Sequence, residues 1–210
     1  TEAKVFLVNE SLSRVTEAIT NNKIKVFSNF FGRTDSQPYT HEQDGCGGLE
    51  AISKGLFIRN QQNRIAGSPF LMSISMQDLW NGLEPIHHIG MSIEPDLLRP
   101  GFNRLRIEPW KHFYSNDVIM ECTNVAKVDK KVIQSECYST FKFGYQKWET
   151  EEFNGLDEFL TKRNYRTSLS QIKNEFSKFS SLIASGYAIE ITRRKSTETR
   201  DWRYDNDNFI

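Results

Sequence analysis

Hydrophobic positions recur at two different periods near the start of the chain, and each period indicates a different element. The segment KVFLV (residues 4–8) is apolar after its first lysine, which predicts a buried strand. Leu12, Val15 and Ile19 follow at spacings of three and four residues, which predicts one apolar face of a helix. KIKVFS (residues 23–28) alternates at period two and predicts a second strand. The chain is therefore expected to open as strand, helix and strand.

The centre of the chain is predicted to be mostly strand, after one further helix. Leu49, Ile52 and Leu56 mark a second helix face, and LFI (residues 56–58) is predicted to turn extended. The strand candidates that follow are PFLMSIS (residues 69–75), IGMSIE (89–94), NRLRIEPW (103–110), DVIMECTNVAKV (117–128) and KVIQSECYSTFKFGYQKW (131–148). A turn-rich connection (residues 76–88) is expected to join the first two, and the last two are expected to pair as a hairpin.

The final third of the chain changes to a helical pattern. GLDEFLTKRN (residues 155–164) predicts a short helix, and the apolar stripe of SLSQIKNEFSKFSSLIAS (168–185) predicts a long one. Ser168 can cap the start of the long helix, Gly186 can end it, and YAIEI (187–191) then predicts a strand. The whole pattern predicts one α+β domain over residues 1–210. Its sheet is expected to be rich in antiparallel pairs, with helices near the N-terminus and a C-terminal amphipathic helix.

Composition and charge narrow the classes of function. The 210 residues carry 27 basic and 27 acidic side chains, so the chain lacks the basic excess typical of proteins that grip nucleic-acid phosphates. An aromatic content of 12% argues against disorder. Three cysteines without CxxC spacing fit reduced thiols, although Cys122 and Cys137 would be bridgeable if they faced each other across the hairpin. Neither a membrane span nor a signal peptide is visible, so a cytoplasmic protein is expected.

A serine pair and a glutamate pair form the first candidate site. Ser73 and Ser75 lie two residues apart on a predicted strand, so their hydroxyls are expected to share a face. Glu149 and Glu151 are also two residues apart and follow a long predicted strand. A carboxylate in that place can accept hydrogen bonds from a ribose or stabilise a cationic sugar transition state. Strand serines and Glu-x-Glu pairs are also common in charged chains, and this purely structural alternative stays open.

Histidines, carboxylates and a basic run give further candidates. His87 and His88, if on a strand, would point to opposite faces, which disfavours a shared zinc site but leaves an acid–base role for one of them. A magnesium-dependent nuclease would use carboxylates and a lysine on neighbouring strands, here Glu94, Asp96, Glu108, Lys111, Asp117 and Glu121. The C-terminal basic residues fit nucleic-acid contacts or a solvated, salt-bridged surface; they are Arg193, Arg194, Lys195, Arg200 and Arg203. Ordinary strand ends, turns and core histidines are the alternatives throughout.

Scattered stretches of the chain resemble the DUF2971-type family of small bacterial proteins of unknown function. LVNESLSRVTEAITNNKIKVFSN (residues 7–29) is similar to the opening of that family, with a helix before a strand that ends in Phe-Ser. FLMSISMQDLW followed by HIGMSIEPDLL is similar to its serine-flanked strand, its tryptophan and its glycine-containing strand. RRKSTETRDWRYDNDNFI is similar to the terminal run of the family.

The serine pair, the glutamate pair and LEAISKGLFI also resemble ADP-ribosyltransferase folds. The resemblance implies that Ser73 and Ser75 support the site of NAD, the co-substrate, that Glu151 is catalytic, and that Glu149 orients a protein or nucleic-acid acceptor. The first predicted strand, KVFLV, lacks the arginine or histidine that such folds carry there. Two other classes stay open: a non-enzymatic structural or protein-interaction protein, such as a viral or assembly component, and a magnesium-dependent nuclease.

Overall fold

Helices alternate with short strands in the computed structural model, which describes residues 5–32, 45–59, 74–146, 162–168, 171–195 and 204–210. Within these residues the helices are α1 (Val8–Thr20), α2 (Gly55–Ile58), α3 (Met76–His87) and α4 (Gly186–Arg194). The strands are β1 (Phe6–Leu7), β2 (Lys25–Phe27), β3 (Ala51–Lys54), β4 (Ile89–Pro95), β5 (Asn103–Pro109), β6 (Thr140–Tyr145), β7 (Lys162–Arg166), β8 (Glu175–Ser180) and β9 (Asn208–Phe209). Short 3₁₀ helices lie at Trp110–Phe113 and Gln134–Glu136. The mixture confirms the predicted α+β class.

The described strands form three sheets of three strands each. The first sheet has the order β1-β3-β9 and is antiparallel throughout. The second has the order β2-β5-β4, in which β2 is parallel and β4 antiparallel to β5. The third has the order β7-β6-β8, in which β7 is antiparallel and β8 parallel to β6. Antiparallel pairings are therefore in the majority among the described strands.

One apolar core joins elements from both ends of the chain. Its buried members come from α1, α3, β3, β4, β5 and two loops; they are Val8, Leu12, Phe31, Ile52, Leu79, Leu83, Ile89, Ile107 and Leu182. A smaller cluster lies between α2, α4 and β9 and consists of Ile58, Ile183, Ala188 and Phe209. Full burial of one such side chain contributes about 1.5–3 kcal/mol. Helices of 12 or 13 residues are marginal alone, so α1 and α3 depend on this packing.

Local signals set the ends of the two long helices. The α1 helix ends at Asn21, which adopts the left-handed conformation with φ 50°. The α3 helix begins after Ser75, whose hydroxyl accepts the Asp78 N–H at 3.0 Å, and it ends at His88 with φ 53°. Pro85 lies inside α3, where the missing N–H removes one hydrogen bond of the helix. The predicted turn-rich connection over residues 76–88 is therefore wrong, because the serine cap and the buried face of α3 outweigh the proline.

The second sheet has one apolar and one charged face. On the apolar face, Leu105 of β5 lies between Val26 of β2 and Ile93 of β4. On the same face, Ile107 of β5 lies opposite Met91 of β4. On the other face Arg104 lies opposite Glu94, and both Arg104 and Arg106 stack on Phe27, with Cζ 4.1 Å and 4.7 Å from the ring centre. The apolar face continues from the buried core outwards along β4, which is the outer strand of this sheet.

Strand and helix are exchanged relative to the sequence prediction near the C-terminus. The long helix predicted over residues 168–185 is wrong, since β8 lies within it and pairs along six residues with β6. The strand predicted at residues 187–191 is also wrong, because α4 begins at Gly186, which was predicted to end a helix. Phe176 packs against the rings of Tyr138, Phe141 and Phe143, so pairing with a distant strand overrides the helical spacing.

The same exchange occurs earlier in the chain. Residues 51–54 are β3 and residues 55–58 are α2, the reverse of the predicted helix and strand. The predicted hairpin is wrong, since residues 117–128 contain no strand and, of the described residues 131–146 in its second arm, only those of β6 form one. Of the helix predicted over residues 155–164, the described part lies in β7, and most of PFLMSIS lies outside the described residues. The predicted strands at residues 23–28, 89–94 and 103–110 and the helix over Leu12, Val15 and Ile19 are confirmed.

Candidate functional site

The residues predicted for an NAD site are only partly described. Ser73, Glu149 and Glu151 lie outside the described residues. Ser75 is described, and its hydroxyl caps α3 by accepting the Asp78 N–H and donating to Asp78 Oδ2 at 2.7 Å. The interpretation of Ser75 as a strand residue is therefore wrong, because the hydroxyl serves a helix N-terminus. The transferase site itself stays a prediction.

Two carboxylates predicted for a nuclease are engaged by arginines. Asp96 Oδ2 accepts a hydrogen bond from Arg99 Nε at 2.6 Å, and this bond holds the pKa of Asp96 below its ordinary value. Glu94 Oε1 accepts from Arg104 Nε at 2.7 Å. Burial raises the pKa of Glu94, but the hydrogen bonds from Arg104 and Arg106 and the positive charges of both arginines lower it, and the net shift is downward. Both groups are anions that already have cationic partners.

The rest of the carboxylate set does not join them. Glu108 is buried, accepts the Asn29 N–H at 2.6 Å and Arg106 Nε at 3.1 Å, and so fixes the loop after β2. The other members are exposed; they are Lys111, Asp117 and Glu121. Among the described residues no three His, Cys, Asp or Glu side chains are grouped so that they could hold a metal ion. The geometry of these residues thus gives the nuclease alternative no support.

His87 lies in a packed cluster. His87 Nε2 is 2.7 Å from Glu50 Oε2, and the imidazole contacts the rings of Phe30 and Phe31 with centroids 5.2 Å and 5.5 Å away. Burial and the charge of Glu50 raise the pKa of the neighbouring Tyr145. Neither histidine lies on a strand, since His87 is the last residue of α3 and His88 follows it in the left-handed conformation. The cluster ties α3 to the segment before β3, which fits the structural alternative for this histidine.

The basic C-terminal run is largely paired where it is described. Arg193 and Arg194 both donate to Glu190 at 2.7 Å, and Arg200 and Arg203 lie outside the described residues. The hydrogen bonds from the two arginines lower the pKa of Glu190 to about 2. The three cysteines are free thiols, so Cys122 and Cys137 are not bridged.

A cleft of about 240 Å³ lies between α3 and the third sheet. Glu84 of α3 is buried in it and forms an ion pair with Lys178 of β8. Asp78, also in the cleft, accepts the Ser75 hydroxyl. Lys178 offsets the charge of Glu84, so Asp78 is the one lining side chain among these three that leaves a net charge in the cleft.

The most unusual surface is the stretch of residues 114–133, here called the exposed segment. Every residue in it is exposed, and it contains neither helix nor strand. Eight apolar side chains are between 52% and 96% exposed: Tyr114, Val118, Ile119, Met120, Val125, Val128, Val132 and Ile133. Sequence reasoning missed this surface, because a run of β-branched residues ordinarily predicts a buried strand. Residues 114–133 all lie within the described part of the chain, and in the structure they form neither a helix nor a strand.

A second apolar surface lies beside the root of the exposed segment. The outer strand β4 carries Met91 and Ile93, which are 44% and 65% exposed, and the turn that follows carries the exposed Leu97 and Leu98. The 3₁₀ helix Trp110–Phe113, from which the exposed segment departs, packs on the start of β4: the Trp110 N–H donates to His88 O at 2.9 Å. The two surfaces are therefore neighbours.

These features define an α+β protein in which an exposed apolar segment leaves the fold next to an outer strand. None of its described helices has both the length and the apolarity to cross a bilayer. Comparison with family models, with curated proteins and with solved structures finds no match to the chain. The two family resemblances of the sequence thus stay predictions, and the function is argued from the surfaces themselves.

Proposed function

We propose that the chain is a protein-interaction protein and that the exposed segment is its binding surface. The observation that carries the proposal is the run of eight apolar side chains that are more than half exposed. Exposed apolar patches larger than those of typical monomers mark sites of protein–protein contact. The zero net charge agrees with a protein partner, because neither nucleic acid nor an anionic membrane would be attracted by it.

The central three residues of the segment allow an estimate of how strongly it binds a partner. Val118, Ile119 and Met120 are consecutive and at least three-quarters exposed. Burying each against a partner contributes about 1.5–3 kcal/mol, so the three together supply roughly 5–9 kcal/mol before the costs of association. A dissociation constant of 1 μM corresponds to about 8 kcal/mol. The segment therefore supports micromolar binding only if further apolar residues join the contact.

Charged residues within the segment favour specific binding over aggregation. Asp117 and Glu121 flank the central three residues, and the Lys127 ammonium forms an exposed ion pair with Asp129 at 3.1 Å. Charges beside unavoidable apolar runs oppose the stacking of identical segments. The surface is thus expected to bind a partner that buries the apolar residues and leaves these charges in water.

Replacement of the central three residues tests the proposal. The variant V118S/I119S/M120S is compared with N116S/T123S/N124S, which changes exposed polar residues of the same segment. Tagged chains are mixed with an untagged copy and with an extract of the producing cells, and the proteins recovered are quantified by mass spectrometry. At least one bound protein is expected to fall about tenfold or more with the first variant and to stay with the second. Equal recovery with all chains would refute the proposal.

The transferase prediction has its own test. Turnover of NAD by the native chain is compared with that of Glu151→Gln. Activity that vanishes with this substitution would support the ADP-ribosyltransferase resemblance, and equal activity, or none in either chain, would remove it.

A further inference from the structure

We infer that the partner of the exposed segment is a second copy of this chain, and that residues 117–123 of each copy add as a strand to the outer edge of β4 in the other. This inference rests on the proposed function, since it names the partner for the same surface. It is argued from the acceptor edge, from the pattern of the segment and from the place where the segment leaves the fold.

The outer edge of β4 is the best acceptor among the described strands. β4 is seven residues long and pairs with β5 on one side, while no described strand lies on its other side. Unpaired N–H and C=O groups along such an edge bind extended segments of other chains. The edge strand β7 has the sequence KRNYR, whose cations guard it, and the edge strand β8 packs beside α3. β4 contains no lysine or arginine, and its one charged residue and its proline, Glu94 and Pro95, lie at its C-terminal end, so Ile89–Ile93 has neither kind of protection within the described residues.

The side chains of β4 and of the segment have matching alternation. Met91 and Ile93 are on one face of β4 and are exposed at the end of the apolar face of the second sheet. If residues 117–123 are extended, Val118 and Met120 share one face, with Cys122 next to them. If the segment pairs with β4 so that Val118 and Met120 lie on the same face as Met91 and Ile93, the apolar face of the second sheet gains one strand. The apolar pairs between the two strands then stabilise the contact.

The place where the segment begins favours exchange between two copies. The segment starts from the 3₁₀ helix Trp110–Phe113, and a β-carbon at Gly90 of β4 would lie 2.9 Å from the ring of Phe113. Each copy therefore carries the root of its segment against the face of its own β4 at Gly90, yet the segment leaves the fold there and is exposed throughout. A two-fold axis near this point places each segment on the β4 edge of the other copy, and both contacts form at once.

Charge and size are compatible with such a pair. Residues 114–133 hold three acidic and three basic side chains, and the whole chain is neutral, so two copies do not repel each other. Two reciprocal additions of seven-residue strands involve roughly 14 residues from each copy, below the 20–30 of a standard interface. The dimer is thus expected to be weak, with a dissociation constant on the order of micromolar.

Sedimentation equilibrium between about 1 and 100 μM tests the inference. The native chain is expected to convert from monomer to dimer, and Ile93→Lys and Met120→Lys are each expected to weaken the dimer about tenfold or more, since a lysine guards a sheet edge. Ile19→Lys is the matched control, because Ile19 of α1 is 66% exposed and Ile93 is 65% exposed. A chain that stays monomeric over this range, a dimer that ignores either test substitution, or an open-ended polymer overturns the inference.

Site-specific cross-linking tests the contact without relying on destabilised variants. In a chain whose three cysteines are replaced by serine, one copy carries Ile93→Cys and the other Met120→Cys. A short bismaleimide is expected to join the two copies, and much less product is expected when Ile19→Cys replaces Ile93→Cys. Equal yields overturn strand addition at β4. If the native chain is monomeric but still binds another protein through Val118, Ile119 and Met120, the second-copy inference fails while the proposed function stands.

Discussion

Gly82 lies in the middle of α3, opposite the fully buried side chain of Leu182. A glycine inside a helix is about 1 kcal/mol less favourable than alanine, so helix propensity alone predicts that Gly82→Ala stabilises the fold. The packing predicts the opposite result. A β-carbon at Gly82 would lie 2.6 Å from Cγ and 2.8 Å from Cδ1 of Leu182, well inside normal van der Waals contact.

Leu182 cannot move aside at low cost, because its backbone is tied to the same helix. The Ser180 hydroxyl donates to Gly82 O at 2.7 Å and accepts the Leu182 N–H at 3.1 Å, and all three groups are buried. Overpacking of a core by one methyl group costs about 1–3 kcal/mol. After subtraction of the propensity gain of about 1 kcal/mol, Gly82→Ala is expected to lower the free energy of unfolding by up to about 2 kcal/mol.

A double-mutant cycle isolates this contact. Leu182→Ala alone is expected to cost about 2–5 kcal/mol, because it removes a buried side chain and leaves a cavity. In that background the methyl group of Gly82→Ala enters the vacated space, so the second substitution is expected to become neutral or stabilising. The two effects are therefore expected to differ from additivity by about 2 kcal/mol.

Urea unfolding followed by circular dichroism measures these effects, read from the midpoint at constant slope. Gly186→Ala is the control, because Gly186 is the first residue of α4 and a β-carbon there meets nothing within 4 Å. That substitution is expected to be neutral or stabilising. If Gly82→Ala stabilises the protein as Gly186→Ala does, or if the double mutant is additive, the argument that Leu182 limits the space at α3 is refuted.

Two further predictions concern charged groups. Asp205 forms a buried ion pair with Arg59 at 2.6 Å, so Asp205→Ala is expected to cost about 3–5 kcal/mol in urea unfolding, whereas Asp129→Ala at the exposed pair is expected to cost less than about 1 kcal/mol. Similar losses in both would contradict this. NMR titration is expected to place the pKa of Glu190 at about 2, against an ordinary 4.5, and Arg193→Ala is expected to raise it. Because the folded pKa is depressed, any stability that Glu190 adds is present above pH 4.5 and lost towards pH 2, so the difference between the native chain and Glu190→Gln is expected to shrink over that interval.

The sequence predicts best those elements whose local signals agree with their burial. In α1, Leu12 and Val15 lie on the inner face, and the asparagines that end the helix are visible in the sequence. The alternating residues of β4 and β5 likewise predict strands, since Ile89 and Ile107 point to the core. Here periodicity, end signals and burial all lead to the same element.

Prediction from the sequence is wrong where the spacing of a helix and the spacing of a strand both fit the same apolar residues. Phe176 and Phe179 are three apart, which fits a helix face, but each also fits a strand that pairs with β6. The choice depends on β6, which lies about 35 residues earlier in the sequence and is invisible to a local pattern. In α4 the buried Ala188 and Thr192 and the Ser185 cap specify a helix, although the alternating letters of YAIEI also fit a strand.

The candidate site is a segment whose sequence is typical of a strand but which pairs with no strand of the described chain. Residues 117–128 have the composition of a strand, and their predicted partner was the segment that contains β6. In the structure β6 is the central strand of its sheet, with β7 on one side and β8 on the other, so no edge remains for a third neighbour. A strand sequence without a strand partner must leave its backbone to water or find an edge elsewhere. The outer edge of β4, a strand that the root of the exposed segment contacts at Gly90 and that exposes Met91 and Ile93, offers that edge on a second molecule.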